Sequence, residues 1–316
     1  MEWEIGSAAY HTALQQEADY WGDEIEKALA VGIPFSADMR RAQRLFVNRG
    51  KDLPQQQFFD PAAEQIMNGP LYRSLFNHID AVSLQARVLV LTCGPGGLAL
   101  ELARQGHHVH GVDISRRAIA IAERMAAENP FRERFGSIEY EVADLNLATL
   151  PQKRYDVVLA WDGLHHIVAL DHLMAEIRKT LKAGGLFIFS DHIGMKRLSR
   201  WLGGFLYLFL PTFVPFRTKL KYAFGGSRKV REEMTRRSPF EEATCGQIME
   251  AVARRFILLH QLEHTGIGYR AAIAGDLRWP DPVKHGFLRR LKRFDDWAIR
   301  KRILHGDHVL IVAQAS

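Results

Sequence analysis

The spacing of apolar residues divides this chain into two parts. Residues 1 to about 80 repeat apolar positions at helical spacing and show no strand alternation. The pattern predicts helices from Ser7 to Ala30, from Ser36 towards Gly50, and from Pro61 to Ala81. We interpret residues 1–80 as an N-terminal helical extension or lid. Its Tyr20-Trp21 pair fits either an aromatic core contact between helices or a lid lying over a ligand.

From Ala86 onward, short apolar runs alternate with amphipathic helical stretches. This order predicts a parallel sheet with helices on both faces. The predicted strands end at Thr92, Asp113, Val142, Trp161, Ser190, Leu262 and Ala313. The division that follows is a core over residues 81–193, an apolar and basic insert over 194–240, and the remainder of the core with a basic helical insert over 241–316.

The stretch from Val88 to Asp113 carries the strongest chemical signal. It reads as a strand, a tight turn (Cys93-Gly94-Pro95-Gly96-Gly97), a helix and a second strand that closes on an acid. Small residues let a backbone approach a ligand, and a carboxylate about 20 residues on can take a ribose hydroxyl. The run therefore predicts a nucleotide-type binding unit.

This pattern resembles the class I S-adenosylmethionine-dependent methyltransferases over roughly Ala86 to His192. The turn, Asp113, Asp144, the run Gly163-Leu164-His165-His166-Ile167 and the run Leu181-Lys182-Ala183-Gly184-Gly185 carry the resemblance. It implies a doubly wound, seven-stranded, mostly parallel sheet whose last strand is antiparallel and lies beside the fifth. It also implies S-adenosyl-L-methionine as cofactor, with a binding set of Cys93, Gly94, Pro95, Gly96, Asp113, Ile114, Asp144, Leu145 and Trp161.

Two positions depart from that family. Where its members usually carry an acid and then a glycine in the first strand and turn, this chain has Val90 and Thr92. The missing acid normally helps to hold the charged amino-acid end of the cofactor. A catalytically silent binding or scaffold protein on the same fold is therefore the alternative to an enzyme.

Three histidines are candidate catalytic bases because they follow predicted strands and imidazole titrates near neutrality: His165, His166 and His192. The first two could instead orient their loop or touch the cofactor. Asp162 and Asp191 could position the acceptor or cap a loop, and Tyr269 is a further acceptor-site candidate. No paired Cys and His spacing predicts a metal site.

The insert contains an apolar run from Trp201 to Phe216 with Lys and Arg on both sides. It is shorter than the roughly 20 apolar residues that a spanning helix needs, and two prolines interrupt it. Aromatic residues with basic flanks suit a membrane interface. The alternative is an apolar lid packed on the protein's own helices or on a second subunit.

A helix is predicted to open at Ser238-Pro239, which suit its N-cap and first position. With the strand from Phe256, a glycine-rich turn and the terminal strand, this end resembles methyltransferases of glycan or lipid-linked saccharide biosynthesis. The predicted helix from Phe287 to Arg302 is strongly basic on one side. That side is either a solvated face or a surface for phosphate, pyrophosphate or anionic membrane.

Composition adds limits. The 316 residues are 47% hydrophobic, which is enough for a large core and excludes disorder as the main state. The net charge of +6 permits an anionic partner, although no RNA-binding module accompanies it. Two cysteines exclude a disulfide framework, and the acidic start lacks the features of a secretory signal. We expect a cytoplasmic protein, peripheral to a membrane if the insert binds lipid, that O-methylates a saccharide, lipid-linked or other small acceptor.

Overall fold

A seven-stranded sheet organises the molecule, with the strand order β3-β2-β1-β4-β5-β7-β6. The computed structural model describes residues 3–30, 61–224 except 131, 195 and 213, 235–267 except 242 and 245, and 277–315. The strands are β1 (Arg87–Leu91), β2 (His108–Asp113), β3 (Ser137–Val142), β4 (Tyr155–Trp161), β5 (Leu181–His192), β6 (Phe256–His264) and β7 (His308–Ala315).

The helices of the described residues are α1 (Ala8–Ala30), α2 (Pro61–Met67), α3 (Gly69–Val82), α4 (Gly97–Arg104), α5 (Arg116–Ala127), α6 (Leu170–Thr180), α7 (Arg197–Phe209), α8 (Phe216–Phe224), α9 (Ile248–Ala253) and α10 (Asp281–Arg300). A short 3₁₀ turn covers Leu164–His166 between β4 and α6. The helix predicted from Ser36 lies outside the described residues.

The centre of the sheet is buried on both faces, as β1 shows. Leu89 and Leu91 belong to one apolar cluster, whereas Val88 and Val90 belong to another. Successive side chains of a strand point to opposite faces, so each cluster lies on one side of the sheet. This accounts for the near-continuous apolar run that the sequence shows at this strand.

Strands β1 to β5 pair in parallel, and β7 runs antiparallel between β5 and β6. The predicted fold, including the place of the last strand, is confirmed. The register sets His192, the last residue of β5, opposite His308, the first residue of β7. The start of β7 therefore lies at the same edge as the carboxyl ends of the parallel strands.

Several element boundaries differ from those predicted. The helix predicted over Pro61–Ala81 is two helices that meet at Asn68, and β5 begins at Leu181 rather than at Leu186. The helix predicted to open at Ser238 is wrong: this segment forms turns, and α9 begins only at Ile248. The Ser238 hydroxyl and the Phe240 N–H donate to Glu17 of α1 instead of serving a helix N-terminus.

The basic helix α10 begins at Asp281, earlier than predicted, and ends at Arg300. Its Leu288, Leu291 and Ala298 are buried, as the predicted apolar face requires, whereas Phe294 and Trp297 remain exposed. The insert folds as α7 and α8. Among the described residues, no helix is long and apolar enough to cross a membrane.

Candidate active site

The glycine turn after β1 is shaped for close approach by a ligand. Gly94 and Gly96 have φ angles of 52° and 75°, in the left-handed region that favours glycine. A Cβ built on Gly94 would meet no atom within 4 Å. Gly96 is the N-cap of α4, so the turn also presents the N-terminus of a helix. Pro95 lies between them and is partly exposed.

Asp113 ties the end of β2 to this turn. Its carboxylate accepts the Gly94 N–H at 2.8 Å and the Ser115 N–H at 2.9 Å. Burial raises the pKa of Asp113, although these backbone donors oppose the shift. Each carboxylate oxygen has a second acceptor direction, so hydroxyl groups can still bind. The predicted ribose contact fits this arrangement.

Cys93 and Ile114 flank the same junction. The Cys93 N–H donates to the Val112 carbonyl at 3.0 Å, which joins the turn to β2. Burial and the nearby Asp113 charge raise the pKa of the Cys93 thiol well above its ordinary value. The thiol is therefore neutral, and Cys93 serves the turn as a small residue rather than as a nucleophile.

Asp144 lies just beyond β3 and is held from two sides. One carboxylate oxygen accepts from the backbone and side chain of Asn146 at 2.9 and 3.0 Å. The other accepts the Tyr10 hydroxyl of α1 at 2.7 Å. Burial and the Asp144 carboxylate raise the pKa of Tyr10, so the phenol remains a donor. The carboxylate predicted to meet the adenine amino group is thus oriented by the N-terminal helix.

Two predicted cofactor residues have mainly packing contacts. The Leu145 side chain is 1% exposed and belongs to the core. The Trp161 ring stacks on Tyr72 of α3, with ring centroids 5.0 Å apart. The Trp161 ring therefore packs against α3 at the end of β4.

The two family departures have different structural settings. Val90 is 2% exposed and packs in the core. Thr92 adopts a φ of 49°, a left-handed conformation that is rare for a β-branched residue, and its hydroxyl donates to the Leu91 carbonyl at 2.7 Å. The chain reaches the backbone shape of a glycine turn with a strained threonine.

His165 is oriented by a buried carboxylate. Its Nδ1–H donates to Asp191 at 2.6 Å, and Asp191 also accepts the N–H groups of Gly163, Leu164 and His192. Burial opposes ionisation of Asp191, but the His165 hydrogen bond and these donors hold its pKa below the usual range. Of the two roles predicted for Asp191, positioning of an acceptor and loop capping, the second describes these contacts.

His166 is paired with α1. Its Nδ1 lies 2.9 Å from the Glu17 carboxylate, and its Nε2 lies 3.8 Å from Glu241. Burial alone would lower the pKa of His166, but Glu17 outweighs it and raises the pKa. The Trp21 ring packs edge-on to the same imidazole at 5.5 Å and donates its N–H to Glu17. Trp21 therefore contacts His166 as well as Tyr20, which is compatible with both interpretations of the Tyr20-Trp21 pair.

His192 forms a second cluster with the start of β7. Its Nδ1 lies 3.4 Å from the Asp307 carboxylate, and its ring centroid lies 3.6 Å from that of His308. Burial opposes the charge, but Asp307 raises the pKa of His192 to about 9. The expectation that this imidazole titrates near neutrality is wrong. By contrast, burial and the His192 charge lower the pKa of His308.

Asp162 belongs to the cluster of His192 and His308. Its carboxylate lies 3.5 Å from His308 Nε2, and its own φ of 49° is left-handed. Two groups of possible metal ligands exist among the described residues, namely His165, His166 and Glu241, and His192, Asp307 and His308. Tyr269 lies outside the described part of the chain.

The sequence did not single out four residues that complete these clusters: Tyr10, Glu17, Asp307 and His308. The first two lie on a helix read only for its apolar spacing. A signal did exist for the other pair. A strand expected to run antiparallel beside β5 must begin where β5 ends, so its first residues lie beside His192.

Comparison with known proteins agrees with this geometry. Residues 88–185 match a methyltransferase domain family. A phosphoethanolamine N-methyltransferase of Caenorhabditis elegans is 34% identical over 100 residues, which cover 31% of this chain and 22% of that protein. A ubiquinone biosynthesis O-methyltransferase of Coxiella burnetii is 29% identical over 103 residues, which cover 33% of this chain and 42% of that protein. The matches thus span less than half of either relative.

A solved structure is similar over nearly the whole chain. It is a geranyl diphosphate C-methyltransferase from Streptomyces coelicolor, in complex with Mg²⁺, geranyl diphosphate and S-adenosyl-L-homocysteine. The TM-score is 0.55 with 13% sequence identity, and the alignment covers 96% of this chain and 98% of that one. At this identity the likeness concerns the fold. Residues 88–185 of this chain therefore match a methyltransferase domain, and the whole chain shares the fold of this solved methyltransferase.

Proposed function

We propose that this protein is an S-adenosylmethionine-dependent methyltransferase that methylates an oxygen of a small acceptor. The observation that carries the proposal is the pairing of Asp113 with the Gly94 N–H at 2.8 Å. This hydrogen bond holds the carboxylate that we assign to the ribose beside a left-handed glycine whose outer side is free of protein atoms. Asp144 supports the adenine end of the same cofactor.

S-adenosylmethionine supplies a methyl group already activated on a sulfonium. The protein must therefore align the acceptor, exclude water and remove a proton from a hydroxyl acceptor. We assign the positioning of Asp144 and His166 to α1. Its Tyr10 contacts Asp144, and its Glu17 contacts His166. The same helix excludes water from that side.

We assign proton removal to His192. It is the most exposed of the three candidate histidines, with a side chain that is 34% exposed against 14% for His166 and 7% for His165, and Asp307 orients its ring. With a pKa of about 9, only roughly 1% of the imidazole is neutral at pH 7. Methyl transfer to a hydroxyl should therefore speed up as the pH rises towards 9. His165, fixed by Asp191, is a positioning residue in this scheme, and so is His166.

The acceptor class is the finer part of the proposal. A saccharide, a lipid-linked precursor or another small hydroxyl compound fits the partly exposed position of His192. The curated relatives differ among themselves in the acceptors that their names give, phosphoethanolamine and a ubiquinone precursor. The exposed aromatic helix α7, next to His192 in the chain, favours an acceptor that carries a lipid, and with it a peripheral membrane location.

Calorimetry with S-adenosylhomocysteine tests the cofactor assignment. Asp113→Ala should weaken binding at least tenfold, because it removes a charged acceptor worth about 1.5–3 kcal/mol per hydrogen bond. Asp171→Ala is the control, since Asp171 lies on the outside of α6 and pairs with Arg254. Equal affinity of Asp113→Ala and the unchanged protein would refute the proposal.

A silent scaffold is the second candidate function, because Val90 and Thr92 replace the residues that usually serve the amino-acid end of the cofactor. This candidate predicts no adenosyl compound bound to freshly purified protein. Denaturing the protein and searching the supernatant by mass spectrometry separates the two. Release of S-adenosylmethionine or S-adenosylhomocysteine would exclude a silent scaffold that binds no cofactor.

A further inference from the structure

The outer face of α7 is a stripe of exposed aromatic side chains. Trp201, Phe205 and Phe209 are 56%, 47% and 71% exposed, and their spacing of four residues puts them on one side of the helix. Their rings form a continuous series, since neighbouring centroids lie 5.6 and 4.8 Å apart. Soluble proteins rarely expose contiguous apolar surface of this kind without a partner.

The stripe continues on α8. Phe216 is 62% and Leu220 is 48% exposed. Lys219 is buried between the two helices, where its ammonium donates to the Leu210 carbonyl at the end of α7 and lies 5.8 Å from the Tyr207 ring. This contact fixes the α7–α8 pair, so the aromatic face is already formed before any partner binds.

The opposite side of α7 explains why these rings do not turn inward. Leu202 and Leu206 pack on the cluster formed with α2 and α10. The buried residues of the helix are Ser199, Gly203, Gly204 and Tyr207. The face of α7 that packs on the protein's core is therefore a different one from the aromatic face. Among the described residues, the aromatic stripe therefore does not pack on the protein's own helices, whereas Leu202, Leu206 and Leu210 of the same apolar run do.

Charge identifies the partner. The sequence from His192 to Arg231 contains no Asp or Glu, and its charged side chains are Lys and Arg. Arg197 and Arg217 are exposed at the starts of α7 and α8. Apolar aromatic rings bordered by cations match the boundary between acyl chains and anionic headgroups. A second copy of the chain would bring a like-charged surface against this one.

The stripe begins beside the candidate base. Arg197 follows His192 by five residues, and the Ser199 hydroxyl donates to the His305 carbonyl at 3.0 Å, two residues before Asp307. We propose that α7 and α8 dock the protein on an anionic lipid surface, with the His192 edge of the site towards the bilayer. The choice of a lipid-bearing acceptor rests on the proposed function, whereas docking itself does not.

Sedimentation of the full chain with vesicles tests the docking. Vesicles of phosphatidylcholine mixed with phosphatidylglycerol should bind the protein about tenfold more tightly than phosphatidylcholine alone, and added salt should weaken the binding. The triple variant Trp201→Ser/Phe205→Ser/Phe209→Ser should lose most of it. The pair Arg197→Glu/Arg217→Glu should lose the preference for anionic vesicles.

Matched controls separate docking from general stickiness. Leu84→Ser and Ile257→Ser remove exposed apolar side chains elsewhere and should leave vesicle binding unchanged. An equal loss in these controls, or no binding by the unchanged protein, would overturn the proposal. So would a dimer, seen by light scattering, that the triple variant abolishes while vesicle binding is absent.

Two cross-checks keep this test independent of methyl transfer. The triple variant should bind S-adenosylhomocysteine as the unchanged protein does, which also shows that it folds. Asp113→Ala should still sediment with anionic vesicles. A failure confined to cofactor binding would count against the proposed function, and a failure confined to vesicles would count against the docking surface.

Discussion

Thr92 and Gly163 are in direct contact across the ends of β1 and β4. A Cβ added to Gly163 would lie 2.1 Å from the Thr92 Oγ1 and 2.5 Å from its Cβ. The threonine that stands at a usual glycine position is therefore accommodated by a glycine opposite it. The two residues form one unit, although they are 71 positions apart in the chain.

Gly163→Ala should consequently destabilise the protein by about 1–3 kcal/mol, because the short, strained Thr92 side chain cannot move aside. The same change in a Thr92→Gly background should cost much less. Urea unfolding of the four proteins measures this coupling. Gly246→Ala is the control for replacing glycine by alanine without a steric clash, since its Cβ would meet no atom within 4 Å. Additive losses would contradict the proposed contact.

Asp307→Asn should lower the pKa of His192 from about 9 towards or below 6.5, because burial would then act with less opposition. The raised pKa stabilises the fold fully below pH 6.5, and this contribution is lost as the pH rises through about 9. The stability difference between the unchanged protein and the variant should therefore shrink at alkaline pH. NMR titration of the imidazole measures the pKa without any substrate. An unchanged pKa would rule out Asp307 as its cause.

Glu17→Gln should destabilise the protein by about 3 kcal/mol, because it breaks a buried pair and leaves His166 without its counter-charge. The pKa of Glu17 is lowered in the fold, so its contribution to the free energy of unfolding is lost as the pH falls below 4.5. The His166 contribution, from a raised pKa, is lost above 6.5. The effect of the variant should peak between these values. Urea unfolding at several pH values measures this stability difference. A difference that does not change with pH would show that the pair is not ionised.

Tyr10→Phe should lower the free energy of unfolding by about 1.5–3 kcal/mol, since it deletes a hydrogen bond to the charged Asp144. It should also speed hydrogen exchange in α1. Tyr140→Phe is the matched control, because the Tyr140 hydroxyl lies 3.5 Å from the Gly96 carbonyl and makes a weaker bond. Equal effects of the two variants would show that the Asp144 contact has no special weight.

Much of the sheet could be predicted because its central strands are buried on both faces and its turns carry glycine. β3 and β4 begin and end at the predicted residues. The errors arose where a distant residue replaced a local signal. Ser238 has the composition of an N-cap, but its hydroxyl serves Glu17, which is 221 positions away.

The site was predicted in part for the same reason. Asp113, Asp144 and the three histidines follow strands, and strand order alone brings them to one edge. The pairing of His192 with Asp307 depends on the register of an antiparallel strand, and that of His166 with Glu17 on the path of α1. Neither is encoded in local spacing. The alkaline pKa of His192 follows from that pairing, so residue type alone misjudged it.

Glu17 also bears on how the chain matures. It joins α1 to the turn at Ser238 and Phe240, so the contacts of this helix are completed by residues that are synthesised more than two hundred positions later. Contacts of such long separation form slowly. A nascent chain can therefore pair its early strands before these contacts form, and Glu17 gains these partners only in chains whose synthesis has passed Phe240.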